Sequence, residues 1–124
     1  MVVSHARGKT KPSGGKKKSA RGKKLSHKGR IPTLTKIGEL KRKTIRTKGG
    51  HSKRVTLSTE VVNLFNGTKH EKAKILTVLE SPANRHFTRR NILTKGTIIN
   101  TDKGKARITS RPGQNGSVDA VSVK

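Results

Sequence analysis

Cysteine is absent from the 124 residues, so disulfides, thiolate zinc sites and a cysteine nucleophile are all excluded. Tryptophan and tyrosine are also absent, which leaves Phe65 and Phe87 as the only aromatic side chains. Carboxylates are scarce: Glu39, Glu60, Glu71, Glu80, Asp102 and Asp119 are the whole set, and no spacing among them points to a paired acid–base site. Their expected role is to offset nearby lysines. No apolar run approaches the ~18 residues of a membrane span, and Met1-Val2-Val3-Ser4-His5 leads into basic sequence rather than an apolar signal stretch. The expectation is an intracellular soluble protein.

What is abundant is positive charge. Thirty-one Lys or Arg residues stand against the six acids, a formal net charge of +25 at pH 7. Like charges at that density oppose compaction, and the chain gains most from a polyanion such as a phosphate backbone. The apolar fraction of 27% means that part of the chain cannot contribute to a core.

Charge and apolar content are distributed in opposite senses. Residues 1–54 carry 19 basic residues and one acid, Glu39, a net of +18, and residues 55–124 carry 12 basic and five acidic residues, a net of +7. Six apolar residues fall in the first 30 positions and 23 in the last 70. The chain therefore reads as a basic extended arm over 1–40 joined to a β-barrel domain over 41–124. In the arm, glycines alternate with Lys16-Lys17-Lys18, Arg21, Lys23-Lys24 and Arg30 without an apolar face. A run of this kind is either a solvated tail or a segment that orders on RNA. The lack of any acid before Glu39 favours the second.

From Lys41 onward the pattern is mostly period-two, with β-branched residues between turn signals. Residues 43–47 and 54–58 flank Gly49-Gly50 and predict one hairpin. Residues 61–65 and 73–79 predict a second, with Asn66-Gly67 suited to a type I′ turn. The segment 89–95, ending at Gly96, predicts one short helix with a glycine cap. Residues 97–101 and 105–109 predict a third hairpin, and 117–123 a final strand. Short strands at this spacing predict a mainly β fold, a small closed or nearly closed barrel whose closure removes exposed edges.

Several motifs fail as chemistry. Gly8-Lys9-Thr10 resembles the end of a P-loop, but that motif needs a glycine five positions earlier, where Val3 stands. The histidines at 5, 27, 51, 70 and 86 are too far apart for metal-ligand spacing. Asn66-Gly67-Thr68 fits a glycosylation sequon and is better read as turn chemistry. Two basic clusters stand out instead. In Asn84-Arg85-His86-Phe87-Thr88-Arg89-Arg90 an aromatic sits among three arginines by the predicted helix, where guanidinium forks bind phosphate and stack on bases. The alternative puts Phe87 in the core with the arginines solvated. In Ser110-Arg111-Pro112-Gly113-Gln114 a rigid turn holds Arg111 and leaves backbone amides free for a phosphate; the alternative is a plain hairpin turn.

Two long segments, Ser81-Pro82-Ala83-Asn84-Arg85-His86-Phe87-Thr88-Arg89-Arg90-Asn91-Ile92-Leu93-Thr94-Lys95-Gly96 and Gly104-Lys105-Ala106-Arg107-Ile108-Thr109-Ser110-Arg111-Pro112-Gly113-Gln114, carry a family resemblance. Lys11-Pro12-Ser13-Gly14-Gly15, Gly29-Arg30 and Thr35-Lys36-Ile37-Gly38-Glu39 extend it in order. The chain resembles the archaeal and eukaryotic type of small-ribosomal-subunit protein eight, distinct from the bacterial protein of that number, and its length resembles the archaeal form. It departs from the family at Ser26-His27-Lys28, where an aromatic and a glutamate usually precede the Gly-Arg. The resemblance implies a small barrel with a long arm, built into the small ribosomal subunit of the cytoplasm, touching ribosomal RNA and neighbouring ribosomal proteins. It implies no catalysis, cofactor, metal, membrane or small-molecule substrate. Charge and resemblance together name the candidate RNA-binding residues. In the arm they are Arg7, Lys9, Lys11, Lys16, Lys17, Lys18, Arg21, Lys23, Lys24, Arg30 and Lys36. In the first hairpin they are Lys41, Arg42, Lys43, Arg46, Lys53 and Arg54, and beyond it Arg85, His86, Arg89, Arg90, Lys95, Arg107 and Arg111. An assembly factor or RNA chaperone is the alternative reading, and a DNA-packaging protein a weaker one.

Overall fold

A computed structural model describes residues 10–18 and 29–123. The chain divides into two units, one ending at Pro32 and one beginning at Thr33. In the first, Lys11-Pro12-Ser13-Gly14 makes a tight turn. Proline presets φ for the second turn position, the Gly14 amide donates to the Lys11 carbonyl at 3.0 Å, and Gly14 takes φ +80, open to glycine at little cost. Thr10 and Lys16 then face each other in an antiparallel bridge.

Among the described residues the second unit holds nine strands, one α-helix and a 3-10 turn at Lys48–Gly50 between β2 and β3: β1 Thr35–Lys36, β2 Lys41–Arg46, β3 Ser52–Ser58, β4 Val61–Phe65, β5 His70–Glu80, α1 Arg85–Arg89, β6 Ile92–Leu93, β7 Ile98–Thr101, β8 Gly104–Ile108 and β9 Asp119–Ser122. Strands β4, β5, β7, β8 and β9 close into a barrel in that order, the parallel pairing of β4 with β9 making the seam. The expected mainly β architecture with a closed barrel and a single short helix is present. Alternation builds the interior: Val62 and Leu64 of β4, Ala106 and Ile108 of β8, and Ala120 of β9 point inward beside Ile99, Leu93 and Val118. Burying each of the larger side chains contributes about 1.5–3 kcal/mol. On β5 the inward set is Ala73, Ile75 and Val78, because register shifts after Ile75 and after Val78 interrupt the alternation. The same shifts leave Leu76 and Leu79 outside.

The first hairpin does not join the barrel. β2 and β3 pair antiparallel as predicted, and then β1 and β6 extend them into a second sheet of order β2-β3-β1-β6. Thr35 and Lys36, which the sequence reading put in the arm, are β1, lying parallel to β3 and antiparallel to β6. The Thr35 side chain is fully buried and donates to the Thr56 carbonyl.

Two local expectations are corrected. The β4–β5 turn is a four-residue loop closed by the Asn66 amide donating to the Lys69 carbonyl at 3.1 Å; only Gly67 has positive φ there, whereas a type I′ turn needs it at both central residues. The helix lies over Arg85–Arg89 rather than 89–95. Asn84 caps it, its Oδ1 accepting from the His86 amide at 2.9 Å, and the chain leaves the helix at Asn91, whose φ of +48 asparagine tolerates better than most residues. Ile92 and Leu93, expected in the helix, are both buried as β6. Gly96, with φ +85, serves the β6–β7 turn, where the Thr97 amide donates to the Thr94 carbonyl at 3.2 Å.

Candidate nucleic-acid interface

Each candidate residue that the structure describes is exposed. Arg7, Lys9, Arg21, Lys23 and Lys24 lie outside the described residues, as does the Ser26-His27-Lys28 departure. Lys11, Lys16, Lys17, Lys18 and Arg30 belong to the unit ending at Pro32. The remaining fourteen sit on the folded unit in four groups.

The largest is the β2–β3 ribbon. Lys41, Arg42, Lys43 and Arg46 come from one strand and Lys53 and Arg54 from the other, with Lys36 on β1 next to β3. The ribbon is held down at one side by the loop after β8. The Thr56 amide donates to the Pro112 carbonyl at 3.0 Å, Thr56 Oγ1 to the Asn115 carbonyl at 3.1 Å, and Lys53 Nζ to Gln114 Oε1 at 3.1 Å. Gly116 lies so close under the ribbon that a Cβ there would come within 3.3 Å of Arg54 Cβ and 3.9 Å of Arg42 Nε. A glycine at this point lets the two arginines lie against the loop.

The second group is α1, which brings Arg85, His86, Arg89 and Arg90 onto one turn of exposed backbone packed against β5 and β6. Phe87 is half-buried, and α1 contains no buried residue, so the aromatic neither fills the core nor stands free. His86 and Arg89 lie in the last turn, where cations suit the helix dipole. The Asn84 side chain accepts from the His86 amide and the Asn84 carbonyl from the Phe87 amide, so those two amides of the first turn are already committed within the chain.

Third, Lys95 from the β6–β7 turn and Arg107 from β8 meet at an outward groove of about 650 Å³ lined also by Pro82, Val121 and Val123. Lys105 was missed by the sequence reading. It lies two residues before Arg107 on β8 and is likewise exposed, so period-two spacing would have found it. Last, Arg111 is exposed at its turn, but the amides of Gln114 and Asn115 both donate to the Arg111 carbonyl, at 2.8 and 2.9 Å. The expectation that this turn leaves those amides free for a phosphate is thereby corrected.

None of the cations in these four groups forms an ion pair among the described residues. Among the described residues the ion pairs are Lys74 with Glu60, at 3.8 Å, and Lys103 with Glu71. Neither lysine is a candidate site residue. Asp119 is occupied by neutral donors, accepting from Asn63 Nδ2 at 2.7 Å and Ser117 Oγ at 3.3 Å, and Asp102 accepts from the Lys74 amide at 3.0 Å. Four of the six acids, Glu60, Glu71, Asp102 and Asp119, thus have partners around the barrel, while the ribbon, helix and groove cations face solvent with no carboxylate partner among the described residues. No group of three His, Asp or Glu that could hold a metal occurs among those residues.

A family model described as ribosomal protein S8e matches residues 4–123. The chain is 43% identical over 123 residues to the small ribosomal subunit protein eS8 of Picrophilus torridus, covering 98% of both chains. It is 47% identical over 118 residues to the protein of the same name from Methanosarcina barkeri, covering 94% of both. With the match spanning the arm, the ribbon and the barrel alike, the chain belongs to the ribosomal protein S8e family.

Proposed function

We propose that this chain is a structural component of the small ribosomal subunit in the cytoplasm, where it binds ribosomal RNA and touches neighbouring ribosomal proteins. The observation that carries the reading is the pattern of unpaired cations on the ribbon, on α1 and at the Lys95–Arg107 groove, in a chain of net charge +25. Sites of that kind gain affinity by displacing counterions condensed on phosphates, whatever the sequence of the RNA. The arm of residues 1–32 threads between RNA helices and neutralises their backbones, ordering as it binds. Arg85, Arg89, Arg90 and Arg111, held on the folded unit, set the orientation on one RNA site. The relatives' shared name, small ribosomal subunit protein eS8, fits this role.

Cosedimentation tests it. The protein is expected to stay with mature small subunits after a high-salt wash. Recovery on immature particles alone would replace this reading with that of an assembly factor, and release by DNase but not RNase would replace it with DNA packaging.

A further inference from the structure

The β2–β3 ribbon sorts its cations by type. In the antiparallel ladder Arg42 pairs with Thr56, Thr44 with Arg54 and Arg46 with Ser52, which puts Arg42, Arg46 and Arg54 on one face. Lys43 pairs with Val55 and Ile45 with Lys53, which puts Lys43 and Lys53 on the other. Lys41 stands at the bulge that separates these registers from the strand's start. All six side chains are exposed, and no acid occurs between Leu40 and Thr59.

Each face therefore repels itself. Arg54 is the diagonal neighbour of both Arg42 and Arg46, and Lys43 that of Lys53, at the roughly 7–8 Å typical of such positions. A polyanion lying on one face relieves that face alone, because side chains on a sheet stand to opposite sides and the ribbon itself lies between. We propose that the ribbon is a spacer between two RNA segments, with one phosphate backbone on the arginine face and a second on the lysine face. This rests on the RNA-binding reading and adds to it that the ribbon has two occupants. The two faces suit different contacts. Guanidinium forks backed by the Gly116 loop fit fixed bidentate phosphate geometry, whereas the flexible ammonium groups tolerate a looser one. Gln114 holds the Lys53 ammonium through a neutral oxygen, which positions the charge without cancelling it. As the outer strand of its sheet, β2 also keeps one side open to both backbones.

The test uses the full chain and two short RNA hairpins, one carrying a donor dye and the other an acceptor. The wild type is expected to bring the two together and give energy transfer in a complex of one protein and two hairpins by sedimentation. The variant Lys43→Gln/Lys53→Gln and the variant Arg42→Gln/Arg46→Gln/Arg54→Gln are each expected to lower the joined fraction about tenfold while still binding a single hairpin, each having lost two or three phosphate contacts. Should either multiple variant fail to fold by circular dichroism, Lys43→Gln and Arg46→Gln ask the same question singly. Joining at the wild-type level by either face's variant would overturn the two-occupant ribbon, as would a wild type that binds one hairpin and excludes the second. A wild type that binds no hairpin at all would instead overturn the RNA-binding reading beneath it.

Discussion

The Thr35 hydroxyl donates to the Thr56 carbonyl at 2.7 Å, with both side chains buried. This contact fastens β1 to β3 at the base of the basic ribbon, where the Thr56 amide is already committed to Pro112. Thr35→Val keeps the shape and removes the donor, leaving a buried carbonyl short of a partner. The expected loss is about 1–3 kcal/mol of stability, read as a lower midpoint in thermal unfolding. An unchanged midpoint would mean that the contact is replaceable.

The barrel interior should respond more strongly. Ile108 is fully buried, and its amide extends the β7–β8 pairing by donating to the Thr97 carbonyl at 3.0 Å. Ile108→Ala leaves a cavity in a small core and is expected to cost about 2–5 kcal/mol in denaturant unfolding. A cost near zero would show that the barrel closes over the gap.

Asn84→Ala removes the side-chain cap from a helix of only five residues. Caps of this kind are worth about 0.5–2 kcal/mol, and a helix this short has little else to hold its first turn. Hydrogen exchange at the His86 amide should accelerate, and RNA affinity should fall as Arg85 and Arg89 lose their fixed placement. Exchange at the wild-type rate would contradict the capping role.

Hairpins were legible in the sequence because turn residues and alternating apolar residues agreed at each of them. The helix lies earlier than expected because Gly96, a residue suited to a helix stop, serves the β6–β7 turn instead. Asn84 carried the better signal, a capping asparagine before a run without β-branched residues until Thr88, while Ile92 and Leu93 follow strand preference and are buried accordingly. The second sheet was not legible. β1 is two residues long, and what makes it a strand is the burial of Thr35 and its pairing with partners more than twenty positions away at Leu93 and, through its hydroxyl, at Thr56. Of the site, the exposed basic clusters followed from composition. The division of the ribbon into arginine and lysine faces needed the register, and the loss of the free amides at the Arg111 turn needed the hydrogen bonds.

Deleting residues 1–30 separates the arm's contribution from that of the folded unit. The described hydrogen bonds of the strands lie among residues from Thr35 on, so the truncated chain is expected to fold, with weaker RNA binding and a shallower salt slope. An unfolded product would show that the arm belongs to the core.

The central claim is that unpaired cations bind RNA by neutralising phosphates, and the salt dependence of affinity tests it most directly. For the full chain and an RNA hairpin, about six to ten phosphate contacts predict a loss of roughly 10³–10⁵ in affinity between about 50 and 200 mM salt. An affinity that barely moves over that range would contradict the electrostatic account.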